Sequence, residues 1–580
     1  MRVLLFIIMI LATSIANSQE LKTPFETKIN TTATYEECID YYQKLDAEFD
    51  ELKLIEIGQT DSGQPLHLAI LDTNQDFEPE AIKAKGKLII LVNNGIHPGE
   101  PEGIDASMIL LRDYLKNTDK LKLLDKIVLA FIPIYNIGGA LNRNSHTRAN
   151  QNGPESYGFR GNTKNLDLNR DFVKCDSKNA ETISRLFGKW KPDIFVDNHT
   201  SNGADYPYTM TLIATQKDKL SPPISEYLNQ SMLPKLYKEM KNRDWEMCPY
   251  VYARTTPDEG ILAFMDSPRY STGFSTLHEA IGFTVETHML KPFEDRMWST
   301  YHFMDILIEE TAKDYSAIKK AREETLLYSK NRTLFHVNWE LDESKVDKLL
   351  FKGYEAKYKP SAVTGLDRLY YDRDATWEKE IDYFNSYKAT VSVEKPFAYI
   401  IPQAYSDVIE RLEWNGVQMQ QLESDRTLEA EFYYIESYES RKTPYEGHYL
   451  HSKVAVEKKS MAWNFRKGDY LVYPNQSSNR LIVELLEPQG MDSYFAWNFF
   501  DSILQQKEHF SPYVFEDLAA ELLENDAQLK SDFEKKKEED ADFAKSAMDQ
   551  LYFIYKRSPH YEPTHNLYPV ARILSAVNLD

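Results

Sequence analysis

The stretch NNGIHPGEPEG, residues 93–103, sets two side chains of metal-binding type three positions apart, His97 and Glu100. If the bend turns both the same way, an imidazole and a carboxylate converge on one divalent ion. His199, far downstream in DIFVDNHTS, would complete a His-Glu-His set, leaving a fourth position for water. Between them, NLDLNRDF places Asn169 beside Arg170, whose planar guanidinium suits a carboxylate. Arg160, in GFRGN, is a second fixed cation of the same loop. Glu286, in FTVETHML, is an acid that could act as general base toward a bound water. Such a set would carry out metal-assisted hydrolysis. Each member also has a plainer reading. H-x-x-E arises by chance, and the bend can be only a bend. His199 can be a strand-end histidine bonded to a carbonyl, and Glu286 a capping or ion-paired acid.

The surrounding pattern says what must hold these residues. KLIILVNN, KIVLAFIPIYN, DIFVDNH and IGFTVETH are apolar runs of strand length, the pattern of strands buried on both faces. LKLIEIGQT and PLHLAILD read as strands joined at Asp61-Ser62-Gly63, and YTMTLIAT as another strand. YEECIDYYQKLDAEF, EGIDASMILLRDYLKN and NAETISRLFGKW read as helices, and MWSTYHFMDILIEETAKDYSAIKKAREE as one long helix. Alternating strands and helices predict an α/β domain with a mixed, mostly parallel sheet flanked by helices. Ligand sites of such sheets lie at the carboxyl ends of the strands. His97, His199 and Glu286 each follow or end an apolar strand run.

Beyond about residue 325 the character changes. LFHVNWELDESKVDKLLFKGYEAKY predicts strands with short helical pieces, PFAYIIPQAYSDVIERLEWNGVQMQQL strand-helix-strand, and FYYIESYESRKTPYEGHYLHSKVAVEKKSMAWNF hairpins. SYFAWNFFDSILQQKEH and SDFEKKKEEDADFAKSAMDQLYFIYKRS read as helical. The expected organisation is a signal peptide over 1–18, a catalytic domain over 19–325, a mixed β-rich and α/β accessory region over 326–490, and a helical region over 491–580.

Composition limits the alternatives. The 580 residues carry a formal net charge of -22, which offers no basic footprint for nucleic acid. A hydrophobic share of 42% with 37 tyrosines supports large packed cores. MRVLLFIIMILATSIANSQE has one Arg, an apolar run and small residues, the build of a secretory signal with cleavage near Ala16-Asn17-Ser18. A membrane anchor is the rival reading, but the run is short and ends in a cleavage-like site. A secreted or periplasmic protein without stable membrane insertion is therefore expected. The three cysteines, Cys38, Cys175 and Cys248, allow at most one bridge and form no C-x-x-C metal motif.

The order HPGE, then R…NLDLNR, NH, a Tyr and TVET resembles the zinc carboxypeptidases related to carboxypeptidase A, over roughly residues 35–320. The resemblance implies one Zn2+ per chain on His97, Glu100 and His199, with Asp167 orienting the first histidine. It places Arg160 at the scissile carbonyl and Asn169 and Arg170 on the substrate's terminal carboxylate. Tyr270, in PRYSTGF, would close over the substrate, and Glu286 would be the general base. The implied activity is hydrolysis of the last peptide bond of peptides or proteins, in a secreted bacterial-type member with a long C-terminal extension. The chain departs from the family's pattern after His199, at TSNGADYPYTMTL, and the segment from Tyr270 to Glu286 is short. Asp205 there could face a basic side chain or be a turn acid. Phe274 and Leu277 suggest an apolar wall of the pocket for the terminal side chain, and His288 is expected to pack or bond locally. Two rival functions stand beside this one. The first is a zinc amidase or deacylase acting on cell-wall peptides or N-acyl amino acids. The second is a binding protein whose main function lies in the C-terminal half.

Overall fold

The computed structural model describes residues 21–576. The expected signal peptide, residues 1–18, lies outside them. Among the described residues no helix is long and apolar enough to cross a membrane.

The first half is built on eight strands: β1 (Leu52–Gln59), β2 (Pro65–Leu71), β3 (Leu88–Asn93), β4 (Ile127–Ile132), β5 (Ile194–Ser201), β6 (Met210–Ala214), β7 (Met247–Pro249) and, after the two-residue strands β8 (Tyr252–Ala253) and β9 (Ile261–Leu262), β10 (Ile281–His288). They form one sheet in the order β1-β2-β4-β3-β5-β10-β6-β7. The central strands β4, β3, β5 and β10 run parallel, while β1, β2 and β6 join antiparallel. Every residue of β3, β4 and β5 is buried, as expected of parallel strands covered by helices on both faces. The sheet is thus mixed with a parallel centre, as its apolar runs predicted.

Helices Tyr35–Glu48, Glu102–Lys116, Lys178–Trp190 and Phe293–Lys313 flank it. The first begins with a capping box, in which Thr34 and Glu37 each bond the other's backbone N–H. Helix Glu102–Lys116 lies so close to β5 that a Cβ on Gly103 would fall 2.5 Å from that of Asn198. Its buried Glu102 is bonded at 2.6 Å by Arg296 of helix Phe293–Lys313. The long helix expected over 297–324 is two, Phe293–Lys313 and Tyr315–Asn331, separated at Asp314. The Asp314 carboxylate is held from outside the helix, by Tyr227 and Lys235.

The second half is dominated by strands. β11 (Leu334–Leu341) pairs with β14 (Tyr387–Glu394), and β12 (Asp347–Pro360) with β13 (Asp367–Phe384). Residues 334–358 therefore contain strands without the helical pieces expected there. β15 (Ala398–Ile401), β16 (Gln420–Gln421), β17 (Arg426–Ser440), β18 (His451–Phe465), β19 (Tyr470–Val472) and β20 (Ala571–Ile573) make a six-stranded sheet. Residues 493–509, expected as a helix, form turns with one short 3-10 segment, Asp501–Leu504. Tyr494, Phe495, Trp497 and Phe500 are all buried, so this segment points apolar side chains in every direction rather than along one stripe.

The halves are not separate bodies on a tether. β9 pairs in parallel with the end of β13, Ile261 opposite Tyr383. Asp205, in the loop after β5, faces bases of both halves, Arg373 at 2.6 Å and Lys291 at 3.5 Å. The three cysteines are buried and free.

Candidate active site

The loop after β3 turns through Gly95, at φ +63°, a conformation that suits glycine. It brings His97 and Glu100 over the carboxyl edge of the sheet, beside His199 at the end of β5. His97 Nδ1, His199 Nδ1 and Glu100 Oε2 form a triangle with sides of 3.2, 3.1 and 3.3 Å. All three residues are at most 4% exposed. The outer nitrogens are spoken for. His97 Nε2 meets Asp167 Oδ1 at 2.8 Å, and His199 Nε2 meets Asp197 Oδ2 at 2.7 Å. A carboxylate only accepts, so each imidazole carries its proton on Nε2 and turns a lone pair inward from Nδ1. Two lone pairs and a carboxylate oxygen facing one point, out of water, repel one another unless a cation lies between them. Ligands about 2.0–2.1 Å from a tetrahedral zinc stand about 3.3 Å apart. The triangle fits that ion.

Neighbouring charges keep the acids beside the triangle ionised. Burial works against the Glu100 anion, yet the neighbouring His97 and the Arg148 guanidinium hold its carboxyl well below the usual range. Arg148 Nη1 is 2.8 Å from Glu100 Oε1. Asp167 is also buried, and His97, Arg160 and Arg170 pull its carboxyl far down. Arg160 donates to Asp167 Oδ2 from Nε and Nη2 at 3.0 and 2.8 Å, and its Nη1 lies 3.4 Å from Glu100.

Glu286 lies in β10, in register with His199 on β5. Burial pushes its carboxyl up to about 8. The Glu100 and Asp197 anions add to that, while His199 and Arg160 oppose it. The Glu286 side chain faces a cavity of about 410 Å³ that the metal triangle also lines. Arg170 and Tyr270 stand at the same cavity, the guanidinium 4.5 Å from the ring centre. Asn169 accepts from the Ser271 backbone through Oδ1 at 3.0 Å, tying the segments of Arg170 and Tyr270 together. Ile213, Phe264, Thr272 and Thr284 supply uncharged wall.

A zinc carboxypeptidase family profile matches residues 38–228. Carboxypeptidase 2 of Trichophyton tonsurans is 24% identical over 435 residues, spanning 71% of this chain and 74% of its own. The probable carboxypeptidase 2 of Arthroderma benhamiae is 23% identical over 429 residues, spanning 70% and 74%. A solved carboxypeptidase A from Helicoverpa armigera overlays 53% of this chain and 78% of its own, at 14% identity and a TM-score of 0.39. Residues 38–228 thus carry the pattern of the zinc carboxypeptidases. The chain is a zinc metallopeptidase, and its described residues include a His-Glu-His cluster able to hold the ion.

His97, Glu100, Arg160, Asn169, Arg170, His199, Tyr270 and Glu286 line one cavity, and Asp167 bonds two of them. Phe274 and Leu277 do not line it. They are 0% and 1% exposed, and Phe274 packs against Phe172, Phe187 and His278 in the core. Their helix, Ser271–Leu277, turns Ser271 and Thr272 to the cavity instead. His288 bonds locally, to the Ala204 carbonyl and the Leu290 N–H.

Sequence reasoning passed over two residues of the carboxypeptidase site. Asp197 had a signal, since it stands two positions before His199 and strand side chains two apart share a face. Asn93 Nδ2 in turn donates to Asp197 Oδ1 at 3.0 Å. Arg148 had none. It lies in a polar loop, 48 residues from the Glu100 it holds.

Proposed function

We propose that this zinc carboxypeptidase acts outside the cytoplasm, after removal of residues 1–18, and releases uncharged C-terminal residues from peptides. The observation that carries the exopeptidase reading is Arg170, fixed against Tyr270 at the wall of the same cavity as the metal triangle. A free terminal carboxylate gives that guanidinium a partner, and an internal peptide bond does not.

His97, Glu100 and His199 hold the ion, with Asp167 and Asp197 fixing both imidazoles in the ligating tautomer. Bound zinc supplies Lewis acidity toward water and the scissile carbonyl. Glu286 accepts the proton of the attacking water and delivers it to the leaving amine. Its raised pKa favours that exchange near neutral pH, and a nearby cation draws it lower. Arg160, whose side chain is 44% exposed, reaches from its Asp167 anchor toward the oxygen that becomes negative. Asn169 and Arg170 bind the terminal carboxylate, and Tyr270 covers it. Ile213, Phe264, Thr272 and Thr284 receive the terminal side chain.

Paired peptides with a free acid and with a blocked amide terminus test this reading, with released amino acids identified by mass spectrometry. Stepwise shortening of the free acid alone, abolished by a zinc chelator, is expected. Equal cleavage of both would remove the exopeptidase assignment and favour an amidase.

A further inference from the structure

The family profile ends at residue 228, yet the recognition residues are gripped by side chains from the far end of the chain. Asn169 and Arg170 belong to the segment 167–176. The loop between β17 and β18, residues 441–450, closes on both its ends. Glu446, at φ +50°, accepts the Asp167 backbone N–H through Oε2 at 2.8 Å. His448 Nε2 is 2.8 Å from Asp176 Oδ2. Arg411, from helix Ser406–Trp414, donates to the Lys174 and Cys175 carbonyls at 2.6 and 3.2 Å.

The second recognition segment is held in the same way. Asp492 accepts from the Arg269 backbone N–H at 3.0 Å and from its Nε at 2.8 Å, immediately before Tyr270. Arg269 also lies against the rings of Tyr445 and Trp497, at 5.6 and 5.0 Å from their centres. Asp492 is 1% exposed, so this anchor is fully withdrawn from water.

We infer that the C-terminal half is a frame for substrate recognition, in which Glu446 and Asp492 are positioning residues for the groups that grip the terminal carboxylate. The inference rests on the exopeptidase reading above. Glu446 bonds the backbone of Asp167, whose side chain is fixed independently by His97 and Arg160. Losing Glu446 therefore loosens the turn that aims Asn169 and Arg170 and leaves the metal triangle in place. The effect belongs in KM.

The test uses the full chain and a free-acid peptide that the wild type cleaves. Glu446→Ala is expected to raise KM about tenfold, with kcat within about twofold and zinc content unchanged. Glu446→Gln keeps an acceptor oxygen and should restore most of the affinity. Asp492→Asn should shift KM the same way. An unchanged KM in Glu446→Ala, or a fall in kcat that follows zinc loss, overturns the inference while leaving the activity standing. A wild type inactive on every free-acid peptide removes the exopeptidase reading, and this inference with it.

Discussion

Replacing Asp197 by alanine should weaken zinc binding without touching a metal ligand. Asp197 accepts from His199 Nε2 at 2.7 Å, is 0% exposed, and is itself held by Asn93. Alanine leaves a buried Nε2–H without its acceptor. An unsatisfied buried donor costs about 1–3 kcal/mol. The imidazole can escape that cost by moving its proton to Nδ1, but then no lone pair faces the metal. Either way, the energy is charged against the ligating form. A loss of 1.4 kcal/mol is tenfold in affinity, so the expected weakening is about 10–100-fold. Competition for zinc against a chromophoric chelator measures it directly, with circular dichroism to show that the apo protein is folded. A zinc Kd within about twofold of wild type would refute the claim that the outer carboxylate sets the tautomer of His199.

Glu286→Gln should bind zinc with wild-type stoichiometry and lose about 10²–10⁴ in kcat, as expected of a general base that is not a ligand. Loss of zinc from that variant would reassign Glu286 to metal binding. Among peptides differing only in the last residue, those ending in Leu or Phe should exceed those ending in Lys or Asp by about tenfold or more in kcat/KM. The uncharged wall of Ile213, Phe264, Thr272 and Thr284 offers no partner for a buried charge, and a preference for basic ends would contradict it. Burial depresses the pKa of His278 to about 3, so the folded state resists a proton that the unfolded chain takes up below about 6.5. Its contribution to stability is complete above that value and is lost as pH falls toward 3. Between pH 7 and 4.5 the loss is about 2–3 kcal/mol, and melting curves should show a smaller pH dependence in His278→Gln than in wild type.

Most of the candidate site was legible because its signals are local. Apolar runs of strand length fix a buried parallel centre. The carboxyl ends of those strands fix where chemistry can occur, and H-x-x-E and NLDLNR carry their side chains within a few residues of each other. The misreadings share one cause, which is that periodicity does not reveal what lies opposite. Residues 297–324 keep a helical pattern through Asp314, and only the carboxylate's partners in the folded chain show the interruption. Residues 493–509 are rich in aromatics, and a core that surrounds them on all sides favours turns over a one-sided helix. Phe274 and Leu277 were apolar as read, but the face that they occupy is decided by how their helix packs.

His97, Glu100, His199, Arg170 and Glu286 could be singled out as candidates from the sequence, by residue type and by the resemblance to the zinc carboxypeptidases. Asp167 was already implied by the resemblance, but Glu446 and Asp492 could be named only from the fold. Glu446 lies 279 residues from the backbone N–H it accepts, and Asp492 lies 223 from Arg269. A hydrogen bond across such a distance leaves no periodic or local trace in the chain. It exists because two sheets, each formed for its own reasons of burial, pack with those atoms in reach.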